Sequence, residues 1–234
     1  MIHRPFRRSG QRGSLEYPVG DAWERVSEMI KIWGRKNSVN VQKVLWCCDE
    51  LELPYERVDA GGTFGGTREP EYLAMNPTGL IPTIRDDGFT LWESNSIVRY
   101  LAAKHGPGTL WPEDPAARAL AEKWMDYQLG TVWIAFRAAF LGLVRTPQEQ
   151  RDPDQIRASL ASTAEALAIL DAHLAGNNYV AGANLTVGDI ALGTTVYRWL
   201  NMDLQRPDMT NLEAWHDRLS IRSAYQKNVM VPFV

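Results

Sequence analysis

Asn76-Pro77-Thr78-Gly79-Leu80-Ile81-Pro82-Thr83-Ile84-Arg85-Asp86-Asp87-Gly88-Phe89-Thr90-Leu91-Trp92-Glu93-Ser94 is the stretch on which the reading of the fold turns. Its first four residues are all turn formers. Thr83 to Arg85 and Thr90 to Trp92 then read as two strands, and Asp86-Asp87-Gly88 between them is a good hairpin turn. Ser94 opens a helix through Ile97, Val98, Tyr100 and Leu101, which ends near Gly106-Pro107-Gly108. Pro82 stands immediately before the first strand. Taken alone it reads as an ordinary trans residue at a strand edge, because only about 5–6% of X–Pro bonds are cis. A cis bond there would leave the Ile81 N–H and C=O unpaired, and an extended peptide could dock on them as an added strand.

Upstream, Met29 to Trp33 is a short strand ending at Gly34. Val41, Val44, Leu45, Cys48 and Leu51 recur at helical spacing, and Pro54 stops that helix. Tyr55 to Asp59 is a second strand, which closes a β-α-β unit. Gly61, Gly62, Gly65 and Gly66 make the next segment a loop, and Glu69 to Met75 forms one short helix. Downstream the chain is almost all helical. Ala116 to about Val144 reads as one long helix, and Ile156, Leu160, Leu167, Leu170 and Leu174 stripe another. Thr186 caps a third while Asp189 reaches back, a capping box before an apolar run. A fourth runs from Asn211 through Trp215 and Leu219. The expected organisation is an extension (1–27), a small α/β domain (28–106), a linker (107–115) and an all-α domain (116–234).

Composition narrows the function classes. The 234 residues are 45% hydrophobic and 23% charged, with a net charge of −3, so neither nucleic acid nor an acidic membrane is expected as a partner. No uninterrupted apolar run approaches the roughly 20 residues of a membrane-spanning helix. The two cysteines, Cys47 and Cys48, are adjacent, which excludes a disulfide framework and favours a cytoplasmic location. The four histidines fit no metal pattern, and no metal is expected. The basic first residues, Arg4 to Arg12, lack the apolar stretch of a secretory signal. They read as a terminal extension, with an organellar presequence as the alternative.

The order β-α-β-α-β-β-α followed by helices resembles the cytosolic glutathione transferase superfamily over roughly Met29 to Gln226. Three matches carry the resemblance: the Asn76 to Pro82 run with Glu93-Ser94 behind it, the Leu185-Thr186-Val187-Gly188-Asp189 capping box, and Asn211-Leu212-Glu213-Ala214-Trp215 with Arg218 and Arg222. The resemblance implies a thioredoxin-like N-terminal domain, an all-α C-terminal domain, and glutathione as co-substrate. It reverses the expectation for Ile81-Pro82, which becomes cis, with the cysteinyl part of glutathione docking on Ile81. It implies that Ser94 and the backbone around it hold the γ-glutamyl carboxylate and that Glu93 pairs with the γ-glutamyl amine. A helix N-terminus suits a carboxylate on physical grounds, and a capping role for Ser94 is compatible with this one. Many members carry a basic residue just before the Val/Ile-Pro pair. Here it is Leu80, which leaves the partner of the glycyl carboxylate open.

The chemistry is expected between Gly34 and Val41. A thiol of pKa about 8.5 is only a few per cent thiolate at pH 7, and lowering it by two units takes about 2.7 kcal/mol. One charge-assisted hydrogen bond supplies about 1.5–3 kcal/mol, and a helix N-terminus adds roughly 0.3–1. A hydroxyl or amide donor at the head of the first helix therefore suffices. Ser38 falls where serine-type transferases of the theta and zeta classes place their hydroxyl, and Asn40 where the nitrogen-regulator-like branch places an asparagine. Both residue types also favour plain helix capping. Ser38 ranks ahead of Asn40. No tyrosine or cysteine lies there, which argues against the tyrosine classes and against a mixed-disulfide mechanism.

Phe64 in the glycine loop could cover the tripeptide, and Arg35 and Lys36 could meet a glutathione carboxylate. Trp133, Phe136, Arg137 and Phe140, at helical spacing, are expected to wall the pocket of a small apolar electrophile; a core stripe is the competing reading. The leading function is transfer of glutathione thiolate to such an electrophile. Peroxide reduction, dehalogenation, or a non-catalytic binding role in the same fold are the alternatives. The resemblance also implies a homodimer.

Overall fold

The computed structural model describes residues 29–233, and the expected extension at 1–27 lies outside them. Ile30–Trp33 forms β1, whose Ile30 and Ile32 are buried between half-buried neighbours. α1 (Val39–Glu50) is buried almost all round at its centre, through Val41, Val44, Leu45, Trp46, Cys47 and Cys48. A helix that is apolar on every side must be covered on every side. α1 is therefore the shared helix of the molecule, packed on one side by α3 (Ser94–His105) and on the others by α7 (Val187–Asn201) and α9 (Ser223–Asn228). Glu52 takes a positive φ of 53° at its exit, and β2 (Tyr55–Val58) follows Pro54, parallel to β1 with Ile30 opposite Tyr55.

After α2 (Pro70–Met75), β3 (Thr83–Asp86) runs antiparallel to β1, and β4 (Phe89–Trp92) runs antiparallel to β3. Asp87 and Gly88 sit between them at φ 47° and 81°, the left-handed pair that a two-residue hairpin turn demands. The sheet order is β2-β1-β3-β4. The fold is a thioredoxin-like α/β domain followed by an all-α domain.

The long helix expected from Ala116 to Val144 runs from Pro115 to Val144 without a break, but not as a uniform α-helix. α4 (Pro115–Tyr127) and α5 (Trp133–Val144) are joined by a wide π turn, Gln128–Val132. This 30-residue helix is long and apolar enough to cross a membrane by length and composition alone. That corrects the sequence expectation that no apolar stretch approaches spanning length, because the apolar residues of this helix are interspersed with polar ones. In the structure α4 packs on α7 and α5 on α6 (Pro153–Leu174), with Ala121, Met125, Val132 and Phe136 fully buried. Leu120, Leu129 and Ile134 remain exposed on it.

The two domains meet mainly where α1 lies against α7. The Trp46 ring lies so close to Gly193 that a Cβ there would come within 2.9 Å of it, so the glycine is required by close approach despite costing helix propensity. After α8 (Thr210–Ser220), α9 closes the bundle. It is too short for any periodicity to reveal, and it locks onto the end of α1 through Asn228 to Asp49 and Lys227 to Asp49 at 2.9 Å. Arg222, just before it, makes a bidentate pair with Glu50 at 2.5 and 2.8 Å.

Asp189 organises the α domain. Fully buried, it accepts from the Val180 and Thr186 N–H groups at 2.9 and 2.8 Å, from the Thr186 hydroxyl, and from Trp215 Nε1 at 2.9 Å. Burial pushes its carboxyl up to about 6 against those donors. Asp189→Ala strands several buried donors, so a loss of about 3 kcal/mol or more is expected in urea unfolding. A loss under about 1 kcal/mol would show that α7 and α8 hold together without it.

Candidate functional site

The loop before β3 is braced from within. Gly79 takes φ 63°. Tyr72 donates its hydroxyl to the Leu80 carbonyl at 2.6 Å, so its 2.8 Å contact with Thr83 Oγ1 is one in which Thr83 donates. Asn76 Nδ2 donates to the same carbonyl at 2.9 Å and to Thr83 Oγ1 at 3.0 Å, while the Thr78 N–H and hydroxyl both reach Asn76 Oδ1. The Ile81–Pro82 bond is cis. The Ile81 N–H and C=O make no hydrogen bond among the described residues, and the Ile81 side chain lies against Gly61. The edge is bare backbone on a rigid frame, suited to pairing with an extended peptide.

Beside it α3 begins. Ser94 is its first residue and is buried; Glu93 before it is exposed and takes φ 71°, ψ 109°, a region sparsely used by residues other than glycine. Asn95 anchors the start by donating to the Met125 carbonyl at 3.0 Å and accepting from Lys43 Nζ at 3.1 Å. Lys43 is fully buried and also donates to Gln128 Oε1 at 2.8 Å, and Gln128 in turn donates to Thr195 Oγ1. Burial pushes the Lys43 ammonium down to about 7, with Glu93 opposing that shift.

Ser38 occupies the N-cap position of α1 and is half-buried, but its side chain makes no cap hydrogen bond. Asn40 is the second residue of the helix, and its side chain makes no hydrogen bond among the described residues. No acid lies in the first turn to offset the positive end of the helix. The loop before Ser38 is held from the α domain, where Arg198 donates to the Asn37 carbonyl at 3.1 Å and to the Thr194 carbonyl at 2.8 Å. Arg198 is fully buried with its Nε unpartnered, and burial pushes the guanidinium down to about 9.

A cleft of about 740 Å³ opens beside this loop, lined by Asn37, Phe64 and residues of both domains. The aromatic stripe that the sequence suggested as one wall is divided. Phe136 is fully buried and Phe140 nearly so; their rings meet at a tilt, and Phe136 also meets Trp199 edge to face in the core. Trp133 and Arg137 line a separate groove of about 420 Å³ between α5 and α6, which shares only Leu141 with the cleft. The α domain instead lines the cleft with Leu141 and Arg145, one and two turns beyond Arg137. Phe64 is exposed in a 3₁₀ turn, Gly62–Phe64, at the cleft's rim.

Three further residues escaped the sequence reading. Arg68, exposed, folds over Gly79, where a Cβ would come within 2.5 Å of its guanidinium. Arg198 had a signal, as the single charge inside the apolar run of α7. Lys43 had none, because it interrupts a helix that also carries Gln42 and Asp49. Among the described residues no cluster of three His, Cys, Asp or Glu side chains could hold a metal.

A bare cis-proline edge beside two helix starts opens on a cleft shared with a helical domain, the arrangement that the sequence resemblance implies. Comparison with known proteins agrees: the family described as "Glutathione S-transferase, N-terminal domain" matches residues 37–104, and "Glutathione S-transferase, C-terminal domain" matches 153–218. Glutathione S-transferase GstB of Escherichia coli (strain K12) is 48% identical over 206 residues, covering 87% of this chain and 99% of that protein. The theta-class glutathione S-transferase of Xanthomonas axonopodis pv. citri, solved with glutathione bound, superposes with a TM-score of 0.86 at 47% identity, covering 88% of this chain and 99% of that one. The Bombyx mori transferase BmGSTD1 superposes at 0.77 with 28% identity, covering 86% and 92%. The chain belongs to the glutathione S-transferase family; it is an enzyme whose co-substrate is glutathione.

The buried lysine gives this site a pH signature. Unfolded, Lys43 keeps its proton to about pH 10.4; folded, it releases it near 7. Between those values the unfolded chain binds more protons, so stability rises with pH. Relative to a Lys43→Met variant, the wild type should gain up to about 1.4 kcal/mol per pH unit above pH 7, read by urea unfolding in steps to about pH 8.5. A difference flat across that window would mean that Asn95 and Gln128 keep the ammonium charged.

Proposed function

We propose that the enzyme holds glutathione as its thiolate at the head of α1 and directs it to a small electrophile in the cleft beside Asn37. The observation that carries this reading is the Ser38 hydroxyl, which stands at the N-cap of α1 yet is not used to cap it. A hydroxyl in that position can donate to a sulfur anion. The positive end of α1 and the buried guanidinium of Arg198 favour the same charge. Sulfur forms the new bond to carbon, the leaving group departs with its electron pair, and the thiol proton goes to solvent. Ile81 pairs with the cysteinyl backbone, the start of α3 at Ser94 receives the γ-glutamyl carboxylate, and Glu93 receives the amine. Asn40 acts as a second donor.

Arg68 is the group we assign to the glycyl carboxylate. Its guanidinium occupies the space over Gly79, next to Leu80, where the sequence offers no cation, and its one polar contact among the described residues is a 3.5 Å approach to the Thr78 carbonyl. The protein is taken to be cytoplasmic, since both thiols are free and buried. We propose a homodimer, because Leu120, Leu129 and Ile134 leave apolar surface on the long helix.

Titrating glutathione while following thiolate absorbance in the ultraviolet should show the bound thiol ionised at pH 7. Ser38→Ala should cut kcat/KM by about tenfold to a hundredfold, the worth of one charge-assisted hydrogen bond, and Asn40→Ala by less. Full activity in Ser38→Ala with loss in Asn40→Ala would reverse their order. Aryl halides, peroxides and enoyl compounds as second substrates separate transfer from peroxide reduction and dehalogenation.

For Arg68, the probe is γ-glutamylcysteine, which lacks the glycine. Arg68→Ala should weaken glutathione by about tenfold while leaving γ-glutamylcysteine where it was. Equal losses for both peptides would exclude a glycyl contact.

A further inference from the structure

Among the described residues, no free carboxylate answers the cations that line the cleft beside Asn37. Arg35 and Lys36 come from the loop after β1 and Arg145 from the residue that ends α5. The one acid that lines the cleft, Asp59, is already engaged by Arg57. Arg145 spends one nitrogen on the Phe233 carbonyl at 3.1 Å, and none of the three is in an ion pair among the described residues. Arg198 stands buried behind the same loop. The cations register one another: Arg145 lowers the affinity of Arg35 for its proton, and both lower that of Arg198, in each case after the larger effect of burial. Like charges gathered at one cleft repel, and an anion seated among them relieves that repulsion. Phe64 and Leu141, exposed on the same cleft, supply apolar surface.

Glutathione does not account for these charges if it binds as proposed above. Its two carboxylates go to the start of α3 and to Arg68. Lys36 and Arg145 are then left facing the second substrate.

We infer that the second substrate is an electrophile carrying a carboxylate or a similar anionic group, with that group between Lys36 and Arg145 and its apolar body against Phe64 and Leu141. This deepens the proposed thiolate chemistry and rests on it. It differs from the sequence expectation of a small apolar electrophile on a wall of Trp133, Phe136 and Phe140 with the single cation Arg137. Cations so placed also attract anionic substrates from a distance, an effect that salt screens.

Two stable conjugates test the inference by isothermal titration of the full chain: S-(4-carboxybenzyl)glutathione and S-benzylglutathione, with glutathione itself alongside. At low ionic strength the carboxylated conjugate should bind about tenfold tighter or better, as a charge-assisted contact requires. That ratio should fall toward one as salt is raised, in Arg145→Gln, and in Lys36→Gln, where the exposed side chain bears on nothing in the core. Equal binding of the two conjugates by the wild type would overturn the inference while leaving glutathione binding intact. So would a ratio that persists in both variants. Failure of glutathione itself to bind would bring down the thiolate reading, and this inference with it.

Discussion

The buried ammonium of Lys43 sets the spacing of the whole molecule. It comes from α1, and it is held by one acceptor on α3, Asn95, and one on the π turn between α4 and α5, Gln128. An amino group without water, charged or neutral, must keep its acceptors close, since each one lost leaves a buried polar group unsatisfied. Three helices from two domains are thereby fixed around a single nitrogen. Gln128 carries the constraint a step further, to Thr195 on α7, the helix whose Arg198 holds the Asn37 carbonyl. The wide π turn is part of the same arrangement, because it turns Gln128 inward at the level of Lys43 while α4 and α5 stay continuous. π turns of this kind occur often at functional sites.

What this fixes is the separation of two helix starts. α1 opens at Ser38 and α3 at Ser94, and the bare backbone of Ile81 belongs to the same face. An extended tripeptide has fixed spacing between its charges and its thiol, so a protein that reads it needs donors at matching intervals. The thioredoxin-like domain provides those intervals with backbone, and the α domain holds them still through Lys43, Arg198 and the α9 contacts with Asp49 and Glu50. Glu93, in its unfavourable backbone conformation, stands at the opening of α3 within that frame.

Much of this was legible in the chain. The hairpin at Asp87-Gly88, the β-α-β unit, the capping box at Thr186 and the order of elements follow from turn chemistry and periodicity, which are local. The cis bond at Ile81-Pro82 did not follow from the residues alone, and only the family resemblance reversed that expectation. Side-chain direction was the weak point. Trp133, Phe136, Arg137 and Phe140 share a helical spacing, yet the spacing does not say which neighbour each one meets: Phe136 packs on Trp199 and Phe140 on Phe136 and Phe233, both in the core. The same gap hid Arg68, whose partner lies across a glycine, and Lys43, whose partners lie 52 and 85 residues away. The C-terminal α9 escaped because six residues carry no period.

Cys47 and Cys48 acquire a different meaning in this setting. Both are wholly buried in α1, and burial pushes both thiols far above their ordinary range, with Glu50 adding to the effect on Cys47. Reagents that attack sulfur need an exposed thiolate. An enzyme that presents a foreign thiol for reaction keeps its own two as protonated, inaccessible hydrocarbon-like filler in the helix whose first residues face that thiol. The catalyst is thus chemically deaf to the reaction it hosts: whatever modifies a thiol in the cleft finds no second accessible thiol among the described residues.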